Sequence, residues 1–188
     1  MRYLSILFAF SFSLLLLGSG CDSTDLSLLN QVKRFEPEWM KLSEKVMYID
    51  RNLHITQRRY QEDFEAINPY LSDPNFDERT QLYGLRSQYR NLMTDRDELQ
   101  EKFEATRKEF VSSVESFNDW QNQLMQGKLE TAAAREKLAA YQRKYEELYE
   151  EIDKQQSEVI ANIETHNRIL RQIASALGLF TNFDINPR

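Results

Sequence analysis

A chain of 188 residues, 41% of them apolar and 29% charged, is too charged for a thick globular core and too rich in Leu, Phe and Tyr for disorder. Its net charge of −6 argues against nucleic acid as a main partner, because phosphate binding needs clustered cations. Beyond residue 20 the glycines are Gly84, Gly127 and Gly178 and the prolines Pro37, Pro69, Pro74 and Pro187, and so few breakers favour long helices.

The chain opens "MRYLSILFAFSFSLLLLGSGC": a basic start, an apolar stretch from Tyr3 to Leu17, then small residues. As helix that stretch would span roughly 22 Å, short of the roughly 30 Å hydrocarbon core, so export and cleavage are expected over a permanent span. The segment ends on the only cysteine, Cys21, which excludes an internal disulfide. Over these first 21 residues the chain resembles a bacterial lipoprotein signal, with Ser19 and Gly20 in the two small positions and Cys21 as the acylated residue. Gly18 stands where that family has Leu, with Leu17 one step back. The resemblance implies removal of residues 1–20, several acyl chains such as palmitate on Cys21, and a bacterial cell-envelope location, with the body in the periplasm or at the cell surface. The mature chain would carry 23 Lys and Arg against 30 Asp and Glu, a net charge of −7. Asp22 resembles an inner-membrane retention signal in enterobacteria and accompanies surface export elsewhere, so both membranes stay open.

Residues 21–35 are expected to form a lipidated tether, with Asp25–Arg34 either a separate or a kinked turn. A first helix over about 36–67 is predicted from the stripe Val32, Phe35, Trp39, Leu42, Val46, Ile49, Leu53, Thr56 and Tyr60, whose spacing alternates three and four, with Ile67 returning to register. Pro37 would occupy its first turn, and "INPY" would end it, since Asn68 before Pro69 is pushed out of helical geometry.

A second helix over about 77–126 follows the stripe from Leu82 through Tyr89, Arg96, Phe103, Phe110, Ser113, Phe117 and Trp120 to Leu124. Gly127 then supplies a turn. A third, about 129–177, carries Ala134, Leu138, Tyr141, Tyr145, Leu148, Ile152, Gln155 and Val159. Two registers compete beyond it, one through Asn162, His166, Ile169 and Ile173 and one through Ile163, Leu170 and Leu177, as in a local stutter. Gly178 suits a left-handed cap before the tail 179–188.

Short connections predict antiparallel neighbours, hence an all-α, elongated antiparallel three-helix coiled-coil bundle over 36–178, roughly 70 Å long at about 1.5 Å per residue. Tyr89 should then meet His166, Phe117 meet Leu138, and Phe35 lie by Phe110. The lipid end would lie toward the Gly127 hairpin. At the other end Tyr70, Phe76, Phe180 and Phe183 are expected either to plug the bundle or to form a partner surface.

Arg96 is expected on the seam opposite Val159, within reach of Glu158, either in a polar layer that fixes register or snorkelling to the edge. His54 and His166 are the only histidines, and no repeated Glu-x-x-His set accompanies them, so no metal site is expected. His166 reads as a core-edge residue bonded to Tyr89. "EELYEEID" (146–153) reads as a solvated face. No phosphate-cradling glycine loop, nucleophile elbow or CxxC occurs, so no enzyme, catalytic residue or cofactor is expected. The expected role is a non-enzymatic, membrane-anchored scaffold or adaptor for an envelope protein. A holding chaperone or cargo binder, and a non-covalent cell-wall spacer, are the alternatives. A homodimer would arise if seam aromatics beyond residue 110 were shared between copies.

Overall fold

Among the described residues the chain forms three long helices: α1 (Leu26–Leu71), α2 (Arg79–Met125) and α3 (Thr131–Ala176). The computed structural model describes residues 26–71 and 79–178, and among them there is no strand. Cys21, Phe76, Phe180 and Phe183, with the expected signal segment and tail, lie outside the described residues. The architecture is an all-α three-helix bundle.

α1 begins ten residues ahead of the boundary expected at Glu36. Leu28 and Val32 are buried in the same stripe as Trp39, Leu42, Val46, Ile49, Leu53, Tyr60 and Ile67, so their burial carries the helix back past Pro37. Proline inside a helix removes the bond to the carbonyl four residues earlier, a cost of about 3 kcal/mol when nothing compensates. Here Lys33 and Pro37 are both exposed, which leaves the freed Lys33 carbonyl on the side that water can reach. Pro69 does not stop α1 either, since the helix runs to Leu71 and Pro69 falls in its last turn.

α2 buries Leu82, Leu85, Tyr89, Leu92, Arg96, Phe103, Phe110, Phe117, Trp120 and Leu124. Val114, not Ser113, fills the position between Phe110 and Phe117. A step of four and then three serves the seam as well as three and then four, and Val114 is the apolar choice. In α3 residues of both competing registers are buried, Ile163 and Leu170 alongside Asn162, His166, Ile169 and Ile173, with Asn167 between them and Leu177 only half-buried. The stutter widens the buried face, and neither register is discarded.

The α2–α3 connection is a Schellman turn. Gly127 takes φ 64°, its N–H donates to Leu124 O at 3.0 Å, and Lys128 N–H donates to Gln123 O at 3.0 Å. α3 then starts with Ala134 N–H on Glu130 O at 2.9 Å.

Packing divides the chain into two compact units, one of residues 26–39 with 111–145, the other of 40–110 with 146–178. The first is held by aromatic rings. Phe35 lies 5.7 Å from Phe117 and 5.4 Å from Tyr145, and Trp39 lies 5.9 Å and 5.5 Å from the same two. Phe117 also meets Tyr141 edge-on at 5.3 Å. Such pairs each contribute roughly 0.5–1.5 kcal/mol beyond area burial. Phe35 therefore sits against Phe117, a heptad beyond the Phe110 expected. The longer α1 moves the centre of the α1–α2 connection a few residues along the chain, which doubles into the shift of the facing partner. Of the seam aromatics beyond residue 110, Phe117 is thus met by Phe35 and Trp39 of α1 in the same chain.

Candidate functional site

The second unit buries a polar cluster in place of an all-apolar seam. Tyr60 and Asp63 come from α1, Tyr89 from α2, and Asn162, His166 and Asn167 from α3, all on or beside seam positions. His166 is 0% exposed and its ring stacks on Tyr60 at 4.1 Å, the planes only 6° apart. The Tyr89 hydroxyl donates to the Tyr60 carbonyl at 2.9 Å, so it offers His166 Nε2, 3.0 Å away, a lone pair. Asp63 Oδ2 lies 3.3 Å from the same nitrogen, so Nε2 carries a hydrogen between two acceptors. Arg59 Nε donates to Asp63 Oδ2 at 3.0 Å, and the Tyr60 hydroxyl donates to Asn162 Oδ1 at 2.8 Å. Each member satisfies another, as burial requires.

Electrostatics follow from the burial. Loss of solvent raises the Tyr60 hydroxyl pKa well above the ordinary tyrosine value, against a smaller lowering by the Arg96 charge. Tyr89 is raised further, by burial first and then by the neighbouring Asp63 and Tyr60, with Arg59 opposing. Both rings stay neutral in the fold.

Arg96 is buried in a polar layer and does not snorkel to the edge. Its guanidinium turns to α1 and away from Glu158: Nη2 donates to Leu53 O at 2.9 Å and to Gln100 Oε1 at 3.2 Å, and Nη1 to Asp97 Oδ1 at 2.6 Å. Its Nε is buried without a hydrogen-bond partner among the described residues. Glu158 lies instead 3.9 Å from Lys154 on its own helix. Gln155 donates to Thr106 Oγ1 at 2.8 Å, which forms a further polar step between α2 and α3. A surface depression of about 400 Å³ opens beside Tyr60 and Arg96, rimmed by Arg58, Gln61, Met93 and Asp97.

The histidines are not a pair. His54 is exposed and its Nδ1 lies 2.9 Å from Asp50 O, one turn back on α1. His166 makes the expected bond to Tyr89 but is fully buried where a core edge was expected. Among the described residues no three His, Cys, Asp or Glu side chains gather to hold a metal ion. Of the expected partner surface, Tyr70 is placed, 50% exposed near the end of α1. Asp63 was missed by the sequence reading, although it follows Tyr60 by three and precedes Ile67 by four, a seam position by its spacing. A carboxylate there read as a gap in the stripe.

In the first unit a groove of about 640 Å³ runs between α2 and α3 where the facing side chains are small, Ser112 and Ser116 against Ala133. Its lining includes Trp120 and Tyr141, both largely buried, with the Trp120 Nε1 unpaired among the described residues and the Tyr141 hydroxyl on Ser116 O at 2.8 Å. Glu115, Asp119 and Lys137 rim it.

Among the described residues no helix is long and apolar enough to cross a membrane. No protein family, curated protein or solved structure matches this chain. What defines it is thus an all-α three-helix bundle with a closed polar cluster in its interior.

Proposed function

We propose that the chain is a bacterial lipoprotein, acylated on Cys21, whose helices form an antiparallel coiled coil that serves without enzymatic activity as a scaffold or adaptor for an envelope protein. The observation that carries this reading is the lone cysteine, set directly after an apolar export segment and five residues ahead of Leu26, where α1 begins. Two or more acyl chains would anchor it stably. Palmitate labelling with mass analysis of the mature amino terminus tests it: an acylated Cys21 as first residue is expected, and an unmodified Cys21 or a different first residue overturns it.

Contact order supports the antiparallel arrangement. From Tyr89–His166 to Thr106–Gln155 in one unit, partners rise along α2 as they fall along α3. Partners of α1 and α3 rise together, as Lys45–Asp153 and Tyr60–Asn162 do. The non-enzymatic role is supported by the state of the titratable cluster, since His166, Asp63 and Tyr89 are buried and engaged with one another. The partner surface is assigned to Tyr70 with Phe76, Phe180 and Phe183. Cross-linking in intact cells should capture an envelope protein through this surface and lose it on Tyr70→Asp. Capture unchanged by Tyr70→Asp would move the working surface elsewhere.

A further inference from the structure

α1 carries a second stripe, on the side facing away from its buried one. At about 100° per residue, Met40, Glu44, Met47, Tyr48, Arg51 and Ile55 fall within an arc about 100° wide, opposite Leu42, Val46, Ile49 and Leu53. Met40 is 46% exposed and Met47 and Ile55 are each 38% exposed, with Tyr48 half-buried beside them. All six residues belong to one unit. Among the described residues neither Glu44 nor Arg51 has an ion-pair or hydrogen-bond partner, so both charges are available to another molecule.

The order of these side chains is self-complementary. A two-fold axis passing between Met47 and Tyr48, perpendicular to the helix, brings Glu44 of one copy level with Arg51 of the other, and Arg51 with Glu44. The same operation sets Met40 against Ile55 and gathers Met47 and Tyr48 of both copies around the axis. Parallel pairing of the same stripe would put Glu44 on Glu44 and Arg51 on Arg51, and like-charge contacts across an interface are costly. The charge pattern therefore selects one orientation, and an isologous contact is the form that most homodimers take.

We infer that this outer face of α1 is a docking surface for a second copy of the chain, which packs antiparallel across the Met47–Tyr48 axis with two reciprocal Glu44–Arg51 ion pairs. The stripe is short and the dimer is concentration-dependent. It is independent of the lipid anchor.

Charge exchange separates this arrangement from non-specific association. Full-length chain in detergent micelles, followed by sedimentation velocity from about 1 to 100 µM, should shift from monomer to dimer. Glu44→Arg and Arg51→Glu should each weaken dimerisation at least about tenfold, since every substitution acts twice across the axis. Glu44→Arg combined with Arg51→Glu should return it to within about threefold of the parent. Both side chains are exposed and unpaired among the described residues, so unchanged circular dichroism is expected for all three variants. A chain monomeric over the whole range overturns the proposal, as does a double variant no better than the singles. So does association through this stripe with a different protein and no self-association. None of these readouts involves acylation or the Tyr70 surface, so failure here leaves the proposed function standing, and the reverse.

Discussion

His166 shows how much one buried polar side chain can hold in place. Its Nε2 hydrogen lies between Tyr89 Oη at 3.0 Å and Asp63 Oδ2 at 3.3 Å, and its ring covers Tyr60. His166→Leu replaces volume but leaves the Asp63 carboxylate and one lone pair of Tyr89 short of a donor inside the bundle. Losing that donor costs about 1–3 kcal/mol, since Arg59 still pairs the Asp63 charge. Urea denaturation of His166→Leu should show that loss, and His166→Gln, which keeps a donor, should recover part of it. A second outcome concerns alkali. Burial raises Tyr60 and Tyr89 above their ordinary value of 10.0, so the unfolded chain releases these protons first. A raised folded pKa gives stability that is whole below the unfolded value and is lost as pH climbs above it. Each tyrosine should cost about 1.4 kcal/mol per pH unit above about 10. Melting at pH 10 to 12 should fall more steeply for the parent than for Tyr60→Phe. An equal slope would mean that Tyr60 is open to solvent.

Helices respond to different residues than the cluster does. Gly127 and Gly84 give a clean contrast, because a Cβ would meet nothing within 4 Å at either position. Gly127 sits at φ 64° in the Schellman turn, where an L side chain is strained, so Gly127→Ala should destabilise by about 1 kcal/mol. Gly84 lies exposed inside α2, where alanine is the better helix former, so Gly84→Ala should stabilise by about 0.5–1 kcal/mol. Paired thermal melts of the two variants should move in opposite directions. The turn was legible in the sequence because glycine between two stripes has a single local meaning. The start of α1 was not. Pro37 carries a strong local penalty, and what outweighs it is burial of Leu28 and Val32, which depends on neighbours that are remote in the chain. Asp63 failed to register for a related reason: heptad spacing places a residue on the seam, but only the arrival of His166 and Arg59 makes a carboxylate tolerable there. Tyr89 with His166 could be foreseen, because both the spacing and the Gly127 fold point to it. Phe35 with Phe117 could not, since that pairing inherits the error in the length of α1.

At the scale of the whole chain, the same three helices supply both packing units. α1 passes between them at Trp39–Met40, α2 at Phe110–Val111 and α3 at Tyr145–Glu146, each without a break in helical structure. Melting one unit alone would leave three frayed helix ends, each short of the partners that make long helices stable in water. Unfolding is therefore expected as one cooperative transition. The chain provides its own probes, because both tryptophans, Trp39 and Trp120, belong to the first unit, whereas far-ultraviolet circular dichroism reports helix everywhere. Phe117 lies at the centre of the aromatic cluster in the first unit, fully buried between Phe35, Trp39, Trp120 and Tyr141. Phe117→Ala should cost about 3–5 kcal/mol, the usual range for a buried phenylalanine. With coupled units, tryptophan fluorescence and circular dichroism in this variant should shift together to the same lower midpoint. A fluorescence transition that precedes the loss of helix would show the first unit unfolding alone, with the helix continuity between units too weak to join them.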